Sequence, residues 1–218
     1  SMCGAHILKK VLDIPVLSEV ASEFRYDDPF VDEKTLAIFV SQSGETADTL
    51  AALRLAKEKK ATTIAIANVL GSTISRDSDY VLYTCAGPEI AVASTKAYTT
   101  QLVLLILLAY YIAQQLGKDI NKEVIKQLMS IPQHVDTILK DENLFAQYAK
   151  MLENQHDAYF IGRNLDYASV LEGALKLKEV SYVHADAYVA GELKHGPIAF
   201  IENDSVVIAV ATQPHIAQ

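Results

Sequence analysis

Cysteine is scarce: Cys3 and Cys85 are the only two in 218 residues, too few for a disulfide framework and without metal-ligand spacing. Positive charge is short as well. Nineteen Lys and Arg face 27 Asp and Glu, a formal charge of −8, and no basic stripe runs along any face. A nucleic-acid partner is therefore not expected. The histidines (His6, His134, His156, His184, His195 and His215) also lack metal-ligand spacing, so no metal is expected, and no other cofactor is called for. No Gly-Lys-Ser closes a glycine-rich turn, which disfavours a nucleoside triphosphate with Mg²⁺. No signal-peptide pattern opens the chain, which with so few cysteines suits a reducing cytoplasm.

Long apolar runs are nearly absent too. The one exception, "LVLLILLAYYIA" from Leu102 to Ala113, falls short of the roughly 20 residues a helix needs to cross a hydrocarbon core. Thr99, Thr100, Gln101, Gln114 and Gln115 flank it with polar groups. It reads as a central helix buried nearly all round, and no membrane partner is expected.

With half its residues hydrophobic, the chain can bury a real core as one large domain or two smaller ones. Strands and helices alternate along it. Residues 5–12 read as helix, 15–20 as a short strand, 35–40 ("TLAIFV") as a buried strand, and 45–59 as an amphipathic helix with Leu50, Leu53 and Ala56 on one face. Strands follow at 62–69 and 80–84, separated by a turn, then a loop at 85–94 and a long helix to Gly117. Apolar strands alternating with helices predict an α/β fold, a parallel sheet flanked by helices.

From 118 to 155 the strand pattern stops, and a charged segment of helical period, broken by Pro132, reads as a connector. It restarts with "DAYFIG" (157–162) and a helix over 167–182. A repeat search aligns "VASEFRY" (20–26) with "VAGELKH" (189–195), each between a short strand and a strong one. Duplication predicts three parts: 1–120, a first domain lacking its opening strand and loop; 121–155, a helical connector; and 156–218, part of a second domain. The chain reads as cut at both ends, with strand edges left open, so that instability or compensating association is expected.

The turn "SQSGET" follows the 35–40 strand and opens the next helix. Backbone N–H groups and the positive end of a helix dipole gather there, joined by Ser41, Gln42, Ser43 and Thr46, while Gly44 allows close approach. A phosphate needs many neutral donors converging on its oxygens. A helix cap alone needs one hydroxyl, so phosphate is the better reading. The loop "AGPEIAVASTKAYTTQ" has similar character, with Val92 and Ser94 candidates to line the same pocket and Ser94 or Thr95 a candidate cap. On the 167–182 helix, Glu172, Lys176 and Glu179 share one face. Such a stripe is usually a solvated ion-pair ladder. Here it stands near His195 of "GELKHGP" in sequence, and a carboxylate with an imidazole suits aldose–ketose isomerisation.

Taken together, "SQSGETADTL", "EIAVASTKAYTTQL", "LEGALKLKEVSYVHADAY" and "GELKHGP" resemble the isomerase half of the glutamine–fructose-6-phosphate aminotransferase family, from about Ile14 to Ala211. That half consists of two sugar isomerase (SIS) domains. The resemblance implies that Ser41, Gln42, Ser43 and Thr46 hold the phosphate and that Val92 and Ser94 contact the sugar. It implies Glu179 as the base moving a proton between C1 and C2, Lys176 as its neighbour, and His195 as the ring-opening group, reaching the site from the second copy of a homodimer. The family's glutaminase domain and its carboxyl-terminal lysine have no counterpart in these residues, so the segment is expected to bind phosphosugar at most. Two other readings stand beside it: a sugar-phosphate-sensing SIS module, or a phosphosugar deglycase. A structural domain without ligand would leave the polar density of the turn unexplained.

Overall fold

A computed structural model describes residues 1–216, which form two compact units, Ser1–Lys118 and a second from Asp119 onward. The first unit opens with α1 (Met2–Leu12) and the single turn α2 (Ala21–Phe24). β1 (Leu36–Ser41), α3 (Ala47–Glu58), β2 (Thr62–Ala67), the short α4 (Thr73–Asp77), β3 (Tyr80–Tyr83) and α5 (Lys96–Gln115) follow. The three strands are parallel in the order β1-β2-β3, with Leu36 opposite Thr62 and Ile64 opposite Tyr80. α3 lays Leu50, Ala52, Leu53 and Ala56 against Phe39, Ala65 and Ala67, with Ile74 of α4 closing the cluster. Alanines on β2 let the helix sit close, and the burial of Leu53 and Ile74 is complete.

The second unit begins with α6 (Lys122–Leu139) and α7 (Glu142–Leu152), neither of which contains a buried residue. β4 (Asp157–Gly162), α8 (Leu165–Ser181), β5 (His184–Val189), two 3₁₀ turns (Leu193–His195 and Pro197–Phe200) and β6 (Val206–Ala209) complete it. This sheet is also parallel, in the order β5-β4-β6. α8 packs Val170 and Ala174 against Ala158, Phe160 and Ala185. At the end of β4 a Cβ on Gly162 would lie 2.7 Å from the backbone of Asp166 and Tyr167, so glycine lets the first turn of α8 seat directly on the strand end. Asp166, 3% exposed, then accepts from the backbone N–H (3.0 Å) and Oγ1 (2.5 Å) of Thr212, clamping the chain after β6 to α8. Burial opposes its charge, but the bonds from Thr212 and Gln213 outweigh that and hold its carboxyl below the usual range.

The parallel sheets flanked by helices are as the alternation predicts. Four local expectations are corrected. Residues 15–20 form no strand: a strand needs a ladder for its backbone groups, and no strand among the described residues pairs with them. In the second unit the matching segment, β5, is paired with β4. Pro132 does not break its helix, which continues to Leu139; the loss of one N–H is tolerated on an exposed helix whose carbonyls reach water. The break falls at Lys140, after which Asp141 caps α7 by accepting from the Leu144 N–H. Within the turn expected at 71–79, residues Thr73–Asp77 form α4. Finally, α5 is buried along one face only, through Ala97, Leu105, Leu108, Ala109 and Ala113, while Leu107 and Tyr111 are exposed. It has 20 residues, and an 18-residue stretch of it has a mean hydropathy of 1.4, so it is long and apolar enough to span a membrane by length and composition. In this fold α1 packs against it.

Candidate functional site

The turn after β1 braces itself with its own hydroxyls. Ser41 Oγ accepts from the Gly44 N–H (3.0 Å) and lies 3.4 Å from Thr46 Oγ1, and Ser43 Oγ accepts from the Glu45 N–H (3.2 Å). Thr46 stands at the N-cap position of α3 but makes no side-chain cap bond, so the cap reading fails there. The first-turn N–H groups of α3 have no side-chain acceptor among the described residues, the arrangement that suits an anion. Gly44 sits at φ 70°, where a side chain is strained. From below, α4 props the turn: the Ile74 N–H donates to the Gly44 carbonyl (3.0 Å) and the Thr73 N–H to Glu45 Oε1 (2.7 Å). That backbone bond keeps the Glu45 carboxyl below its ordinary range.

Asn68, just past β2, joins this turn to the next loop. Its N–H donates to the Gln42 carbonyl (3.1 Å), its Oδ1 accepts from Thr84 Oγ1 and the Ala86 N–H (2.9 Å each), and its Nδ2 donates to the Gly87 carbonyl (2.8 Å). The loops after β1 and β3 thus meet at the carboxyl ends of the strands, where open parallel sheets collect ligands. In the second loop Ser94 Oγ donates to Glu89 Oε2 (2.9 Å), and Val92 is almost fully exposed. Neither Ser94 nor Thr95 caps α5 with its side chain. Glu89 does so instead, Oε1 accepting from the Thr95 N–H (2.8 Å).

In the second unit, Lys176 of α8 lies between two carboxylates, 2.5 Å from Glu179 Oε2 and 3.6 Å from Glu172 Oε1. The three side chains are only 25–29% exposed, less than a solvated ladder would be. Partial burial opposes the Lys176 charge, but the Glu179 hydrogen bond and both carboxylates outweigh it and raise its pKa. Lys176 is therefore a cation at neutral pH. His195 ends the first 3₁₀ turn, exposed, and its imidazole has no hydrogen-bond or ion-pair partner among the described residues. No bond joins it to Glu179 or Lys176. No group of His, Cys, Asp and Glu able to hold a metal occurs among the described residues.

Sequence reasoning reached the hydroxyls and the charged stripe but not their supports. Glu45, Glu89 and Asn68 escape it because each acts through a backbone contact, with Thr73, Thr95 and Gln42 respectively, that no local pattern displays.

Strand-turn-helix units with polar turns at the carboxyl ends of parallel strands define an open α/β domain of the kind that collects ligands there. The SIS domain family model matches residues 2–111 and 151–218, and the chain belongs to that family. It is 53% identical over 219 aligned residues to the glutamine–fructose-6-phosphate aminotransferase (isomerizing) of Clostridium tetani, covering 99% of this chain and 36% of that protein. Against the enzyme of the same name from Symbiobacterium thermophilum the identity is 51%, covering 100% and 36%. The C-terminal domain of glucosamine-fructose-6-phosphate aminotransferase from Francisella tularensis superposes with a TM-score of 0.92 at 40% identity, covering 98% of this chain and 62% of that one. The chain thus spans about a third of the length of its curated relatives.

Proposed function

We propose that this chain is the isomerase portion of a glutamine–fructose-6-phosphate aminotransferase, making glucosamine 6-phosphate from fructose 6-phosphate and glutamine-derived ammonia. The observation that carries the reading is the turn at 41–46, where the hydroxyls brace one another and the α3 N-terminus is left uncapped. Ser41, Gln42, Ser43 and Thr46 hold the phosphate there, with Val92 and Ser94 on the sugar. Glu179 takes a proton from C1 of the C2 imine as the C=N electrons shift to nitrogen. Nitrogen takes up a proton as it receives those electrons; returning a proton to C2, while the C1 hydroxyl releases its own to replace the one nitrogen took, leaves an aldehyde at C1 and an amine on C2. Lys176, fixed as a cation, stabilises negative charge that develops on the open-chain sugar. His195, unpartnered among the described residues, opens the sugar ring of a second copy's substrate in a homodimer. Cytoplasmic location without nucleic-acid or membrane partners completes the proposal.

Thermal-shift titration tests it, with fructose 6-phosphate against free fructose and inorganic phosphate, on this chain and on Ser43→Ala. Ligand at 100 times its Kd stabilises by about 2.7 kcal/mol. Stabilisation by the phosphosugar but not by fructose, lost in Ser43→Ala, supports the phosphate cradle. An equal response of Ser43→Ala and the unaltered chain removes it.

A further inference from the structure

We propose that Glu89 commits Ser94 to accepting a sugar hydroxyl, and so sets the direction in which a phosphosugar lies across the two loops. The inference rests on the phosphosugar reading above and adds orientation to it. Both loops end parallel strands and open long helices, so either helix N-terminus could receive an anion. They differ in one respect. At α3 no side chain caps the helix. At α5 the chain supplies its own anion: Glu89 Oε1 accepts from the Thr95 N–H at 2.8 Å and the Ala97 N–H at 3.4 Å, and Oε2 accepts from Ser94 Oγ at 2.9 Å.

The direction of the Ser94 bond follows from charge. The Thr95 N–H, with Ser94 and the Ala97 N–H behind it, holds the Glu89 carboxyl below the usual range, so at neutral pH it only accepts. Ser94 must donate its single proton inward, which leaves its lone pairs to face a ligand. A phosphate near its dianion form offers no donor to those lone pairs, and the Glu89 charge repels it. A sugar hydroxyl offers a donor. The anionic end is therefore sent to residues 41–46 and the hydroxylated end to Ser94. Asn68 holds the two loops side by side through Gln42, Ala86 and Gly87.

The test uses the full-length protein with Glu89→Gln, Ser94→Ala and Ser43→Ala, titrated calorimetrically with fructose 6-phosphate and with inorganic phosphate. Ser94→Ala keeps the carboxylate bonds to Thr95 and Ala97, so it isolates the hydroxyl. Expected are a fall of about tenfold in fructose 6-phosphate affinity for both Ser94→Ala and Glu89→Gln, with phosphate affinity unchanged in the first and raised in the second. A merely structural role would weaken both ligands together, so their ratio is the readout. Parallel loss of both ligands in Ser94→Ala overturns the inference, as does undiminished fructose 6-phosphate affinity in Glu89→Gln. Ser43→Ala reports separately: retained phosphate affinity there means that the turn is not the phosphate cradle, whatever the ratio at Ser94.

Discussion

Gly44 and Ser72 are in such close approach that a Cβ on Gly44 would lie 2.6 Å from the Ser72 Cβ, and 2.9 Å from Ile74 Cγ2. Neither neighbour can swing clear, since Ser72 and Ile74 are buried and Ile74 belongs to the core under α3. With φ at 70°, Gly44→Ala therefore meets both strain and overlap. The expected cost is about 1–3 kcal/mol, read as a lower urea midpoint with unchanged slope. Phosphosugar binding should be lost with it, since the turn and α4 move together. An alanine variant that binds and melts like the native chain would show that this packing does not shape the turn.

Asp166 supports the second unit from inside. In Asp166→Asn one of the two acceptor oxygens becomes a donor facing Thr212, so the variant should lose about 1–3 kcal/mol at neutral pH. The folded-state pKa is lowered, so the native carboxylate stabilises above the ordinary Asp range, and that contribution is lost as pH falls through the lowered value. The stability gap between native chain and variant should close in acid. A gap that stays constant down to low pH would mean the carboxylate charge is not what holds Thr212.

How much of this was legible beforehand depended on the range of the interaction. "TLAIFV", "TTIAIANV" and "DAYFIG" declare themselves through apolar content, and Leu50, Leu53 and Ala56 through helical spacing, because burial acts on each residue locally. Residues 15–20 look equally like a strand, but pairing needs a neighbour, and periodicity carries no information about one. Pro132 misled in the opposite sense, since its cost is small where water satisfies the freed carbonyl. At the site, hydroxyl density marked the turn and i, i+4 spacing marked Glu172 and Lys176. Nothing local tells that Glu89 rather than Thr95 caps α5, because that bond depends on how the loop after β3 folds back.

The roles proposed for Lys176 and Glu179 separate binding from turnover. In the full-length protein, Glu179→Gln should lower kcat by 10²–10⁴-fold with KM for fructose 6-phosphate little changed, because the phosphate is assigned to residues 41–46 in the proposed function. Lys176→Met leaves two carboxylates without their cation and should destabilise the fold. With its folded pKa raised, the native lysine stabilises fully below the ordinary Lys range, and that contribution is lost as pH rises through the raised value. The Met variant's deficit should accordingly shrink in strong alkali. Full turnover in Glu179→Gln would remove Glu179 as the base.

His195 makes no side-chain bond among the described residues, so His195→Ala should alter stability by no more than about 0.5 kcal/mol while, in the proposed scheme, turnover collapses. Its proposed role across a dimer can be tested by mixing. Full-length Glu179→Gln and His195→Ala proteins are each inactive in this scheme. In a mixed dimer, one site receives both defects and the other receives neither. Random exchange of subunits should restore about a quarter of native activity, since half the dimers are mixed and each carries one intact site of two. If His195 serves the site of its own chain, every site in the mixture keeps one defect and no activity returns. Recovery on mixing, absent when either protein is assayed alone, would place the imidazole and the carboxylate on opposite chains.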